Sequence, residues 1–183
     1  IMQWQYSEYS KVNPQAIGHF PFENPREAQI ETISEILEAI SKGFKYIVLE
    51  AGTGTGKSAI AATLANMHDS SYILTITKQL QDQYLKDFND FKLVKGRSNF
   101  KCKSYAEDDV CQTCDEGKCI VEGFDCPYSI KNENPPTCPY YHQKCIALNS
   151  PKVIANYHYM FLELNYVEDF TRRDLLICDE AHH

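Results

Sequence analysis

The sequence predicts an α/β fold in which a parallel sheet is covered on both faces and carries an inserted, metal-stabilised subdomain. Short apolar runs alternate with segments of helical periodicity along most of the 183 residues. That alternation is typical of buried parallel strands joined by crossover helices. Residues 93–148 show neither pattern, yet they hold seven of the eight cysteines. A loop of that length needs another source of stability, and the cysteine density of a cytosolic chain suggests metal before disulfides.

The regular elements follow from apolar spacing. Residues 27–41 are predicted to form a helix, because apolar side chains recur three to five positions apart with charges between them. Gly43 suits the C-terminal end of that helix. Further helices are predicted at 57–67 and 79–91, and strands at 46–50, 72–76, 152–156 and 175–178.

Composition restricts the class of protein. Hydrophobic residues make up 43% and charged residues 23% of the chain, as in a globular protein. No apolar run approaches the roughly 20 residues of a membrane-spanning helix, and the first residues lack the pattern of a secretory signal. We therefore expect no membrane contact and a cytoplasmic location, or a nuclear one in a eukaryote.

Charge is distributed unevenly. The formal net charge of −7 argues against a surface coated in positive charge for duplex DNA. One local basic cluster is the candidate footprint for nucleic acid, although a solvated loop explains it equally well. The cluster consists of Lys92, Lys95, Arg97, Lys101 and Lys103.

A phosphate-binding loop follows the first predicted strand. Its sequence is Ala51-Gly52-Thr53-Gly54-Thr55-Gly56-Lys57-Ser58, with Ala in place of the usual first glycine. The glycines allow successive backbone N–H groups to surround phosphate oxygens, and the next helix adds its positive N-terminal end. Lys57 is expected to reach the β- and γ-phosphates of ATP, and the Ser58 hydroxyl to bind Mg²⁺.

An acidic pair lies at the end of the last predicted strand. Asp179 and Glu180 follow the apolar run 175–178. An acid at the carboxyl end of a buried parallel strand is positioned beside the phosphate loop. We expect Asp179 to hold Mg²⁺ through a water molecule and Glu180 to orient or deprotonate the attacking water.

These motifs carry a family resemblance. The phosphate loop together with Asp179-Glu180-Ala181-His182 resembles a superfamily 2 helicase. Residues 95–102 resemble the segment with the first cluster cysteine of the XPD/DinG (Rad3-like) family, and Cys138-Pro139-Tyr140-Tyr141 resembles the segment with the last. Residues 155–159 resemble the strand after the cluster domain, so the matches extend from residue 22 to the end.

The resemblance implies an ATP-dependent DNA helicase that moves 5′ to 3′ on single-stranded DNA and opens fork DNA. Repair, transcription and phage replication are all compatible with that activity. The chain would be the first of two RecA-like domains and would end before the second, so that alone it binds ATP weakly and hydrolyses it poorly. The implied divisions are 1–92 and 149–183 for this motor domain, with 93–148 as a [4Fe–4S] insertion.

The resemblance also implies individual roles. Arg26 and Gln29 occupy an adenine-reading position, and His182 links the nucleotide to the second domain. A second motif that contacts the DNA backbone is matched by Thr77, Lys78, Gln79 and Gln83.

The cluster ligands are partly ambiguous. Four thiolates are needed, and the resemblance assigns the first and last to Cys102 and Cys138. We favour Cys119 and Cys126 for the middle pair, with Cys111 and Cys114 as the alternative C-x-x-C pair. Zinc is the alternative metal, because similar cysteine sets build tetrahedral zinc sites.

The remaining candidates are predicted to have structural roles. Cys145 and Cys178 are expected to be structural thiols, Cys178 within a core strand. His142 is expected on the surface. Most aromatic side chains near the cysteines are expected to pack the subdomain rather than to stack on bases; they are Phe100, Tyr105, Phe124, Tyr128, Tyr140 and Tyr141.

Two other functions remain open alongside the helicase. One is a nucleotide switch whose ATP hydrolysis does not depend on single-stranded DNA. The other is a zinc-stabilised DNA-binding module that does not translocate.

Overall fold

The structure is a computed structural model that describes residues 13–105, 112–121, 123, 125–132 and 134–181. The chain forms two compact units, one ending at Asp69 and the other beginning at Ser70. Among the helices described, none has the length and apolar character needed to cross a membrane.

The described part of the first unit contains three helices: α1 (Pro14–Gly18), α2 (Glu27–Ser41) and α3 (Lys57–Asn66). Helix α2 has the predicted bounds. At its start the Gln29 side-chain oxygen accepts the Arg26 backbone N–H at 2.9 Å, and Gly43 follows its end with a positive φ of 88°, the left-handed conformation that glycine adopts at little cost.

The predicted strand at 46–50 is not formed. These residues have no strand assignment, and the side chains of Tyr46 and Val48 are 92% and 95% exposed. An apolar run becomes a strand only where a neighbouring strand satisfies its N–H and C=O groups. The four strands that form the sheet all lie between residues 71 and 178.

The second unit is built on a parallel sheet, as predicted. Its strands are β1 (Ser71–Thr75), β2 (Lys92–Leu93), β3 (Lys152–Asn156) and β4 (Leu175–Cys178), in the order β2-β3-β1-β4. Ser71 is in register with Lys152 on one side and with Leu175 on the other. All three pairings are parallel, so the carboxyl ends of the strands share one edge. The mixed α/β architecture fits a RecA-like helicase domain.

Four helices of the second unit connect or flank these strands. They are α4 (Lys78–Asp87), α5 (Lys118–Val121), α6 (Pro139–Leu148) and α7 (Tyr157–Leu162), which continues into a π-helical turn at Glu163–Val167. Helix α6 corrects the expectation that 93–148 lacks regular structure. Pro139 begins this helix at a first-turn position, where a missing N–H costs nothing because that group has no partner within the helix.

Cys178 is also corrected. The sequence predicts a buried thiol in a core strand, but Cys178 is exposed. Within the described residues, β4 is the last strand of the sheet and pairs with β1 alone. Its residues alternate between half-buried and exposed, which is the pattern of an edge strand rather than a central one.

The core of the second unit joins the sheet to the cysteine-rich segment. Cys114 and Cys138 are buried in the same cluster as Tyr72, Val153 and Tyr159. Helix α6 is further tied to the π-helical turn by Lys144, whose ammonium lies 2.6 Å from a Glu163 carboxylate oxygen and 2.7 Å from one of Asp169. The cysteine-rich segment therefore packs as part of the second unit's own core.

Candidate functional site

The phosphate loop of the first unit leads directly into α3. Gly54 and Gly56 have positive φ values of 79° and 85°, and the helix begins at the next residue, Lys57. The Lys57 ammonium donates to the carbonyls of Ala51 and Gly52 at 3.0 and 3.3 Å. The amino group is thus held at the loop, beside the N-terminal end of the helix, where anions are stabilised.

Arg26 and Gln29 contact the same loop. The Arg26 guanidinium donates to the Gly54 carbonyl at 2.7 Å, and the Gln29 amide donates to the Thr55 carbonyl at 3.1 Å. The Gln29 side-chain oxygen accepts from the Arg26 backbone N–H at 2.9 Å. The structure therefore brings both residues to the phosphate loop across more than twenty positions of sequence, while their adenine-reading role stays a prediction.

The other predicted residues of this loop lie as follows. Gly52 and Thr53 are exposed, and Thr55 donates its hydroxyl to the Gly52 carbonyl at 2.8 Å. Ser58 is half-buried at the second position of α3. His182 lies outside the described residues.

In the second unit, Asp179 directly follows β4 and is held at three points. Its N–H donates to the Leu74 carbonyl of β1 at 2.9 Å. The Tyr84 hydroxyl of α4 donates to Asp179 Oδ2 at 3.1 Å. The Tyr157 hydroxyl of α7 donates to the Asp179 carbonyl at 2.9 Å, and burial is the main reason why the pKa of Tyr157 is raised.

Glu180 has an unusual backbone. Its φ is 57°, in the left-handed region that costs a residue with a Cβ about 1–2 kcal/mol. Such outliers cluster at functional sites, where the surrounding structure maintains them. The observation is consistent with the predicted role of Glu180 next to Asp179.

The residues predicted to contact DNA follow β1. Thr77 caps α4 by accepting the Leu80 N–H at 3.2 Å. Lys78, Gln79 and Gln83 are exposed. They are therefore accessible at the start of α4 and along its outer face.

Five cysteines in the described part of the cysteine-rich segment interact with one another or with the same residues. They are Cys102, Cys114, Cys119, Cys126 and Cys138. A short antiparallel contact joins residues 100–102 to residues 112–114, with the Cys102 N–H donating to the Gln112 carbonyl and the Cys114 N–H to the Phe100 carbonyl. Gly117 lies against two of the sulfurs, since a Cβ there would be 3.2 Å from Cys102 Sγ and 3.6 Å from Cys119 Sγ. The turn at Gly117 therefore keeps a side-chain-free space beside these thiols.

The other three thiols are buried and interact with them. Cys114 and Cys138 share a hydrogen bond, which lowers the pKa of Cys138 to about 6 and raises that of Cys114. Burial raises the pKa of Cys126, with smaller contributions from Cys119, Cys138 and Cys102. The pKa of Cys126 is therefore affected by the three other favoured ligands, and Cys114 of the alternative pair interacts with Cys138.

The spacing of the thiols determines which metal site they could form. Within the part of the chain that the structure describes, no three His, Cys, Asp or Glu side chains form a group able to hold a metal ion. Thiolates around one tetrahedral zinc lie about 3.8 Å apart, given Zn–S bonds of about 2.3 Å. A four-iron cluster is a larger body and holds its thiolates farther apart. Cys111 lies outside the described residues.

The remaining thiol and the histidine lie elsewhere. Cys145 is half-buried in α6, and His142 is exposed, as expected for a surface residue. Sequence patterns did not indicate Tyr84 or Tyr157. Tyr84 does fall on the buried face of α4, where Gln81, Tyr84 and Phe88 are three and four positions apart, whereas Tyr157 is the first residue of α7 and has no such pattern.

The basic cluster is less open than its sequence indicates. Lys95 pairs with Asp82 at 2.9 Å, and the Arg97 guanidinium stacks 4.3 Å from the centre of the Tyr140 ring. Phe100 packs edge-on against the same ring. These contacts support a packing role for the described aromatic residues near the cysteines; Phe124 lies outside the described residues.

A phosphate loop before a helix and an acid pair after a strand of a parallel sheet are each features expected of a P-loop ATPase of the helicase type. Residues 22–183 match the family described as type III restriction enzyme, res subunit (ResIII). The chain belongs to this family.

A curated relative agrees with that assignment. The chain is 28% identical over 198 aligned residues to a protein from Methanocaldococcus jannaschii named Probable ATP-dependent helicase. The alignment covers 89% of this chain. The chain spans 29% of the length of that relative. Both matches support a superfamily 2 helicase. No solved structure matches the chain significantly.

Replacing Gly56 with alanine is expected to disrupt the phosphate loop. The new Cβ would lie 2.1 Å from the Gln29 amide nitrogen, and φ is already +85°. We expect at least about tenfold weaker binding of a fluorescent ATP analogue, equivalent to about 1.4 kcal/mol. Gly18→Ala is the matched control, since open space surrounds Gly18. Unchanged binding by Gly56→Ala would contradict this description of the loop.

Proposed function

We propose that this chain is the first motor domain of an ATP-dependent DNA helicase that moves 5′ to 3′ on single-stranded DNA. The observation that carries the proposal is the phosphate loop, with left-handed Gly54 and Gly56 before α3 and with Lys57 held at the loop. Membership of a family whose matches support superfamily 2 helicases adds to it.

In the proposed mechanism the loop binds the triphosphate of ATP. Lys57 exchanges its contacts with the carbonyls of Ala51 and Gly52 for contacts with the β- and γ-phosphates. Backbone N–H groups and the α3 N-terminus stabilise the remaining charge. Ser58 binds the Mg²⁺ of the nucleotide, and Arg26 and Gln29 read the adenine from their positions next to the loop.

The acid pair supplies the remaining chemistry of hydrolysis. Asp179 binds the Mg²⁺, and Glu180 orients the attacking water and accepts its proton. Arginines of a second RecA-like domain complete the charge stabilisation in the transition state. Thr77, Lys78, Gln79 and Gln83 contact the DNA backbone, and the exposure of Lys78, Gln79 and Gln83 supports that role.

We further propose that Cys102, Cys119, Cys126 and Cys138 hold a [4Fe–4S] cluster. The side-chain-free space at Gly117 beside two of these sulfurs supports a fit, and so does the electrostatic interaction among the thiols. Such a cluster can carry electrons or fix a fold. The protein would supply four thiolates, those of Cys126 and Cys138 from buried positions, and the short backbone contact between Cys102 and Gln112 would fix one of the others.

Hydrolysis by the full-length protein tests the proposed activity. We expect single-stranded DNA to stimulate ATP hydrolysis and Lys57→Ala to reduce that rate at least about 100-fold, because the phosphate charge is no longer neutralised. Glu180→Gln should still bind ATP but not hydrolyse it. Lys45→Ala, at an exposed lysine of the same unit, is the control.

The rival functions give different results in the same assay. Hydrolysis that DNA does not stimulate would favour the nucleotide switch. Hydrolysis and DNA affinity that Lys57→Ala leaves unchanged would favour the DNA-binding module. Fork substrates with a single 5′ or 3′ tail test polarity, and unwinding of only the 3′-tailed fork would contradict the proposed direction.

The metal proposal predicts a brown protein. Purified without oxygen, it should absorb broadly near about 400 nm and contain iron and sulfide, as iron–sulfur charge transfer requires. Serine at any of Cys102, Cys119, Cys126 or Cys138 should remove the colour, whereas Cys145→Ser should keep it. A colourless protein with stoichiometric zinc would contradict the iron–sulfur assignment.

A further inference from the structure

One contact next to the acid pair has no counterpart in the sequence motifs. The Tyr84 hydroxyl donates to Asp179 Oδ2 at 3.1 Å. Tyr84 is 1% exposed, and its ring packs against Phe88, with ring centres 5.7 Å apart. A buried tyrosine hydroxyl requires a partner, and here that partner is the acidic side chain that the proposed mechanism uses.

The backbone of Asp179 is fixed independently of Tyr84. Its N–H continues the ladder of β1 by donating to Leu74, and its carbonyl accepts the Tyr157 hydroxyl. The Cα position is therefore defined by two elements of the second unit. The orientation of the carboxylate about its side-chain torsions is a separate variable, and the Tyr84 hydroxyl acts on it.

The contact suits a carboxylate that must bind a metal. A hydrogen bond to a charged acceptor is roughly twice as strong as one between neutral groups. A carboxylate has about four acceptor positions, so a bond from one hydroxyl is compatible with metal binding. Mg²⁺ requires near-ideal octahedral geometry, which makes its affinity sensitive to the orientation of a ligand.

We propose that Tyr84 is a positioning residue that holds the Asp179 carboxylate in the orientation that binds the Mg²⁺ of MgATP. This inference rests on the proposed function, which gives Asp179 its metal. It also assigns a role to the buried face of α4, while the outer face of that helix carries the residues predicted to contact DNA.

Tyr84→Phe tests the inference, because phenylalanine keeps the buried ring and removes only the hydroxyl. The measurement is the Mg²⁺ concentration that half-saturates binding of a fluorescent ATP analogue to the full-length protein. We expect that concentration to rise about tenfold, as for other groups that orient metal ligands. Binding of the analogue without Mg²⁺ should be unchanged.

The control is Tyr72→Phe. It removes a hydrogen bond of 2.7 Å from the Tyr72 hydroxyl to the Thr171 carbonyl in the same unit. The lost bond contributes about 1 kcal/mol to stability and does not involve Asp179. The half-saturating Mg²⁺ concentration should therefore stay within about twofold. Equal effects of the two substitutions would show a general structural disturbance and overturn the positioning role.

Asp179→Asn separates this inference from the proposed function. If Asp179→Asn raises the half-saturating Mg²⁺ concentration but Tyr84→Phe does not, the positioning role of Tyr84 is wrong and the proposed function stands. If Asp179→Asn has no effect, the metal role of Asp179 is wrong and the inference falls with it. Adding Tyr84→Phe to Asp179→Asn should have no further effect, because the hydroxyl acts through the carboxylate.

Discussion

Parallel pairing of β1 with β3 and β4 is the constraint on which the functional edge of the second unit depends. Strands that run in one direction end at one edge of the sheet, which is where ligands bind in open α/β sheets. Thr77 follows β1, Asn156 ends β3 and Asp179 follows β4. Residues distant in sequence are therefore brought to the same edge of the sheet.

The same edge determines how Asp179 is held. Helix α4 begins after β1 and returns Tyr84 to the Asp179 carboxylate, while α7 begins after β3 and brings Tyr157 to its carbonyl. Two crossover elements thus fix one acid from two directions. In the first unit, α2 acts comparably through Arg26 and Gln29, which hold carbonyls of the phosphate loop. Candidate functional residues in each unit are supported by neighbouring helices.

Much of the fold could be predicted from apolar spacing, and the exceptions have physical reasons. Helix α2 and strands β3 and β4 have the predicted bounds, because periodicity and turn residues agree there. The strand predicted at 46–50 is wrong, since an apolar run does not specify a pairing partner. Helix α6 was not predicted because Pro139, which interrupts a helix or strand when it lies inside one, here stands at the first position of a helix. Cys178 was misjudged because sequence does not reveal which strand is at an edge.

Some residues of the candidate site could likewise be predicted from the sequence, and others could not. The phosphate loop and acid pair could be named from the sequence, because their chemistry requires fixed residue types at fixed spacing. Tyr84 and Tyr157 could not, since the Tyr84 contact joins positions 95 residues apart and a single tyrosine carries no motif. The cysteine ligands lie between these cases. Spacing indicated a thiol group, and packing adds Cys114 next to Cys138.

We propose that Lys57 of the phosphate loop and Asp179 at the sheet edge bind one and the same magnesium–triphosphate. A double-mutant cycle of Lys57→Ala and Asp179→Asn tests it most directly, with the dissociation constant of MgATP as the measured quantity. Groups that bind one ligand are predicted to be coupled by at least about 1 kcal/mol, or roughly fivefold in the constant. Effects that simply add, within about twofold, would contradict the claim that the two groups share a nucleotide.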